Sequence, residues 1–107
     1  MNIVTPLVCN MGVFTPDERE SHLHNTAEMI QAVQRAQEVE NGYALQFANE
    51  AALISKIAEF ISKEQLCCPF LSFTLTVVSE NESVTLSLTG PIGTQEFLRA
   101  EFNGAIQ

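Results

Sequence analysis

"SFTLTVVSENESVTLSLTG", residues 72–90, carries the clearest architectural signal in this chain. Two runs rich in Thr, Val, Leu and Phe flank a short polar "ENE" at 80–82, the composition of two strands joined as an antiparallel hairpin. In the second run Val84, Leu86 and Leu88 alternate with Thr85, Ser87 and Thr89, the pattern of a sheet covered on one face only. Phe73, Leu75 and Val77 give the first run a matching apolar face.

Upstream, "GYALQFA" at 42–48 alternates Tyr43, Leu45 and Phe47 against Ala44 and Gln46, which predicts a third strand. Between these strands Leu53, Ile54, Ile57, Phe60 and Ile61 recur at helical spacing, so a helix is expected over about 50–67 with Asn49 as its cap. Pro69 disfavours helical geometry at Cys68 and ends it there. "FTPDE" at 14–18 marks another helix start: Thr15 caps, Pro16 suits the first position and Glu18 completes a capping box. That helix is expected to reach about Val39, with Leu23, Ala27, Ile30 and Val33 on one stripe and "ENG" at 40–42 as its stop. After "GPIG", residues 94–102 return to helical spacing with Phe97, Leu98 and Phe102 as anchors. Residues 3–9 read as an extended piece whose Pro6 argues against a central strand. The expected order is α-β-α-β-β-α after this extended N-terminus. It makes one α+β domain over 1–107, with a small, mainly antiparallel three-stranded sheet and helices packed on one face.

The chain has 107 residues, 46% of them hydrophobic, enough to build a core without disulfides or metal. Thirteen acidic against five basic side chains give a net charge of −8, which repels nucleic-acid phosphates and anionic lipids, so neither nucleic acid nor membrane is an expected partner. The N-terminus lacks a basic start and continuous apolar run, and no apolar stretch approaches the roughly 20 residues that cross a bilayer, so a soluble, cytoplasmic protein is expected. Three cysteines without a secretion signal predict free thiols or metal ligation rather than a framework of structural disulfides.

"SKEQLCCPF" at 62–70 holds the most unusual chemistry. Cys67 and Cys68 lie one heptad beyond Phe60 and Ile61 and so extend the apolar face of the helix. Glu64 precedes them by three and four residues, on the same stripe. Two buried cysteines can be mere packing, but Ala or Val would fill that volume without reactive sulfur. Thiolates select zinc, copper(I) and heavier thiophilic ions such as mercury. Adjacent cysteines lack the usual Cys-x2-Cys spacing of zinc sites, so further ligands must come from elsewhere. Cys9 is the obvious third thiol, with Met11 as a soft neighbour. His22 and His24 lie about 200° apart around their helix and cannot share a site. His22 falls toward the apolar edge and is the candidate ligand or base, whereas His24 faces water.

A disulfide between adjacent cysteines requires strained geometry, so pairing of either with Cys9 is the easier redox chemistry. Glu64 and the helix C-terminus both raise a thiol pKa, which favours cation binding over nucleophilic catalysis. No catalytic residue is assigned. The glycines of "GPIG" lack the Lys and Ser/Thr of a phosphate loop and read as a strand-to-helix turn. Scattered Glu38, Glu40, Glu50 and Glu59 serve solubility.

"EQLCCPFLSFTL" followed by "LTGPIGTQEFLRAEF" resembles a family of small, largely uncharacterised bacterial proteins. Their pattern is Glu-x-x-Cys-Cys-Pro-Phe-x-x-Phe, a hairpin, then Gly-Pro-x-Gly-x-x-Glu-Phe-Leu. "LVCNMGVFTPDERESH" is similar to that family's N-terminal segment, so the resemblance spans most of the chain. Similar Cys-Cys-Pro-Phe segments accompany heavy-metal-responsive regulators and mercury-resistance systems. The resemblance thus implies a metal link through Cys9, His22, Glu64, Cys67 and Cys68, although the basic helix-turn-helix of a mercury-type regulator is absent from this sequence. Three readings follow: a binder of a soft or borderline metal ion, zinc or a thiophilic heavy metal; a non-enzymatic interaction module, such as a homodimer, with structural cysteines; and a thiol-dependent redox protein.

Overall fold

The computed structural model describes residues 7–103. A short 3-10 turn, Met11–Val13, leads into α1 (Pro16–Gln31), then β1 (Arg35–Val39), β2 (Gly42–Ala48), α2 (Ala51–Cys67), β3 (Ser72–Thr76), β4 (Ser83–Thr89) and α3 (Thr94–Glu101). The class is α+β. The sheet has four strands in the order β1-β2-β4-β3, every neighbouring pair antiparallel.

The expected hairpin is β3–β4, with Phe73 opposite Leu88 and Leu75 opposite Leu86. On its other side β4 pairs with β2, matching Tyr43 with Leu88, Leu45 with Leu86 and Phe47 with Val84. These β2 and β4 side chains are buried under the helices together with Ile57, Phe60, Leu98 and Phe102, while Thr85 and Ser87 occupy the open face. Cross-strand apolar pairs of this kind hold the register, since a one-residue slip would turn the whole set to water. Val77 lies beyond β3 and is exposed.

Two expectations about the first half are corrected. The first helix stops at Gln31 rather than Val39, and residues 35–39 form a fourth strand at the edge of the sheet. Arg35, Ala36, Gln37 and Glu38 are acceptable helix formers, so local propensity is misleading here. Pairing with β2 decides the matter by satisfying the backbone groups that β2 would otherwise leave open. The "ENG" stretch is accordingly a tight hairpin turn, with Val39 opposite Gly42 and Asn41 at φ 55°. The Gly90 amide donates to the Asn41 carbonyl, and Gln95 Nε2 donates to the carbonyl of Val39, so α3 steadies the turn. Gly42 is required by close approach: a Cβ there would run into the Leu88 carbonyl.

The inward stripe of α1 carries His22 and Met29, whereas Leu23 and Ala27 are exposed. Thr15 and Glu18 do form the reciprocal capping box, the Thr15 amide donating to Glu18 Oε1 at 2.8 Å and the Glu18 amide to Thr15 Oγ1 at 3.2 Å. Asn49 does not cap α2; that position is Glu50, without a side-chain bond. Asn49 Nδ2 donates instead to the carbonyls of Asn81 (2.8 Å) and Val78 (3.3 Å), fastening the β3–β4 loop. Residues 7–9 have no regular structure, and residues 3–6 of the expected extended piece lie outside the described residues. No helix among the described residues is long and apolar enough to cross a membrane.

Candidate metal centre

The site grows from the last two turns of α2, where Phe60, Glu64 and Cys67 point into the core. The Cys68 amide donates to the Glu64 carbonyl at 2.8 Å, closing the helix. Pro69 follows and turns the chain toward β3. A helix end leaves carbonyls without partners. Here the Cys67 carbonyl accepts from the Asn10 amide at 2.7 Å, which seats the N-terminal segment on the helix end. Asn10 Oδ1 in turn accepts from the Gly12 amide at 3.0 Å and starts the 3-10 turn.

This docking carries Cys9 to Cys68. Their Cα atoms are 4.5 Å apart and their sulfurs are joined as a disulfide, leaving Cys67 as the free cysteine. The expectation of three free thiols is corrected on this point. The physical reason lies in the Asn10–Cys67 backbone bond, which brings together two sulfurs that are 59 residues apart in sequence.

Glu64 is buried at the centre of the cluster. Its Oε1 lies 3.5 Å from Cys67 Sγ and its Oε2 lies 3.5 Å from Cys68 Sγ. The two adjacent sulfurs are 3.8 Å apart. Donor atoms of Cys9, Glu64, Cys67 and Cys68 all fall within 4.8 Å of one another. Two sulfurs each bound at about 2.3 Å to a tetrahedral ion stand about 3.8 Å apart, and a sulfur and a carboxylate oxygen about 3.6 Å apart. The sulfur–sulfur separation therefore matches an edge of a tetrahedral site, and each sulfur has a different Glu64 oxygen close to the sulfur–oxygen edge, Oε1 for Cys67 and Oε2 for Cys68. Adjacent cysteines achieve this because Cys67 is the last residue of α2 while Cys68, at φ −122° and ψ 71°, has already left the helix.

His22 reaches the cluster through Glu64 and not directly. Its Nε2 lies 2.8 Å from Glu64 Oε1, a buried hydrogen bond in which Nε2 is the donor when the carboxylate is ionised. The ring stacks on Phe60 and leans on Phe14, with centroids 5.9 and 5.4 Å apart, so its orientation is held by packing. The outer side of His22 lines a cleft of about 270 Å³ with Asp17, Glu18, Ser21, Asn25, Glu59 and Lys63. His24 points to solvent and pairs at 3.5 Å with Glu28. Met11 sits half-buried against the core.

The electrostatics of the cluster are negative. Burial, then the Glu64 carboxylate, push the Cys67 thiol up to about 12. Glu101 at the end of α3 contributes to that rise, and its own carboxyl is raised, first by desolvation and then by Glu64, with His22 opposing. No local pattern in the sequence points to Glu101, because its relation to the site exists only through the tertiary fold, which brings the end of α3 near Glu64 and Cys67. Comparison with protein-family models, with curated proteins and with solved structures returned no match to this chain.

Proposed function

We propose that this protein binds a soft or borderline metal ion, zinc or a thiophilic heavy metal, through Cys9, Cys67 and Cys68, with Glu64 as the fourth donor. The observation that carries this reading is the convergence of three sulfurs and a buried carboxylate within 4.8 Å. Free thiols are soft ligands, and metal binding deprotonates them, so the cysteines act as donors in the reduced protein. His22 is an outer-shell residue in this scheme. Its Nε2 orients Glu64 much as an outer carboxylate orients a metal-bound histidine, with the roles exchanged. A cation also relieves the mutual repulsion of Glu64, Glu101 and an ionised Cys67, which is the electrostatic reason for a positive guest.

The test is zinc titration of the reduced, tag-free protein, followed by elemental analysis. Stoichiometric uptake is expected, and Cys67→Ser combined with Cys68→Ser is expected to abolish it while far-ultraviolet circular dichroism stays unchanged. Undiminished uptake by the folded double variant would sink the reading.

The disulfide itself favours a second reading, in which Cys9 and Cys68 are a permanent staple of an interaction module and Cys67 is packing. That reading expects the disulfide to survive a mild dithiol reductant under native conditions, and no metal to be taken up.

A further inference from the structure

Resting on the metal-binding reading, we propose that the Cys9–Cys68 pair is a redox gate on the metal centre: a peroxide oxidises it to the disulfide and expels the metal, and a dithiol restores the binding state. The two states compete for the same atoms. The disulfide uses two of the four converging donors, so a bound metal and the Cys9–Cys68 bond exclude each other.

Burial decides which sulfur an oxidant meets. Cys9 is half-buried, while Cys67 and Cys68 are fully buried. The Cys9 sulfur attacks a peroxide oxygen; an S–O bond forms, the O–O bond breaks and hydroxide leaves. The Cys68 sulfur then attacks the Cys9 sulfur; the S–S bond forms, the S–O bond breaks and a second hydroxide leaves. Two protons from solvent make two waters, and the two electrons lost by the thiolates reside in them. In reverse, a dithiol supplies two electrons and becomes a disulfide itself. Cys67 stays out of the exchange because the fold joins Cys9 to Cys68 and leaves Cys67 free, and a bond between the neighbours Cys67 and Cys68 would demand a strained peptide.

The fold allows this change without unfolding. The Asn10 amide is bonded to the Cys67 carbonyl independently of the sulfurs, so the N-terminal segment stays on the helix end when the disulfide opens. The centre is thereby kept assembled for the incoming ion.

The experiment uses zinc-loaded full-length protein, hydrogen peroxide and a chromophoric zinc indicator. Expected are stoichiometric zinc release, a fall in free thiols from three to one, a Cys9–Cys68 linkage by mass mapping, and renewed zinc uptake after dithiothreitol. Cys9→Ser protein, loaded at excess zinc, should lose the reversible release. Oxidised protein that carries the mapped disulfide yet holds zinc as tightly as before would overturn the gate and leave the metal reading intact. Release accompanied by sulfinic acid and no Cys9–Cys68 bond would overturn the gate as well. Reduced wild-type protein that takes up no zinc would instead remove the metal reading, and the gate with it.

Discussion

Cys67 shows how a single residue reports on its surroundings. It has no exposed surface, its sulfur lies 3.5 Å from the Glu64 carboxylate, and its pKa rises to about 12 from an ordinary 9.0. The folded protein therefore keeps the proton after the unfolded chain has released it. Stability from burying the neutral thiol is whole below about pH 9 and is lost progressively between pH 9 and 12, by at most ~1.4 kcal/mol per pH unit. Urea unfolding of the oxidised protein from pH 8 to 10.5 should show this decline, and Cys67→Ala should flatten it; equal slopes would mean that the thiol is not shielded. At this scale the sequence was informative. Heptad spacing from Phe60 and Ile61 correctly placed both helix-end cysteines in the core, and it placed Glu64 on their face. It could not show that Glu64 is itself buried and bonded to His22, because that contact joins α1 to α2 across 42 residues.

Among elements, α1 matters to the site because it carries His22 to Glu64. Its N-terminus is held by the Thr15–Glu18 capping box, a feature legible in five consecutive residues. Thr15→Ala removes the bond to the Glu18 amide and should cost about 1 kcal/mol, read as a lowered urea midpoint with an unchanged slope. A loss within error would mean that the cap is replaced by solvent. The other end of α1 was not legible. "VQRAQEVENG" has ordinary helix formers before Asn-Gly, and the same Asn-Gly pair serves as a helix stop or as a hairpin turn. Only the ladder between β1 and β2 distinguishes the two. The exposure of Leu23 has a related cause: with His22 and Met29 directed inward, the helix is rotated away from the stripe that hydrophobicity alone selects.

For the whole molecule, the Cys9–Cys68 link closes a long loop that spans α1, β1, β2 and α2. Opening such a loop typically costs ~2–4 kcal/mol through the freedom returned to the unfolded chain. Reduction without metal should lower the thermal midpoint. Zinc at about 100 times its Kd should then recover roughly 2.7 kcal/mol, because it binds the folded state alone. Calorimetry of oxidised, reduced and reduced zinc-loaded protein checks both steps. A reduced protein whose midpoint ignores zinc would contradict the metal reading at the level of the entire fold.

The α+β class, the β3–β4 hairpin, the third strand, the capped start of α1, the extent of α2 and the burial of Cys67 and Cys68 are all written in local stretches of the chain. Each depends on periodicity or capping chemistry within a few residues, where local physics speaks directly. That residues 35–39 are a strand, that Cys9 meets Cys68, that His22 bonds to Glu64 and that Glu101 stands near both follow from the packed fold alone. Those facts rest on backbone and side-chain partners dozens of residues away, whose pairing depends on which surfaces the packed core brings into contact.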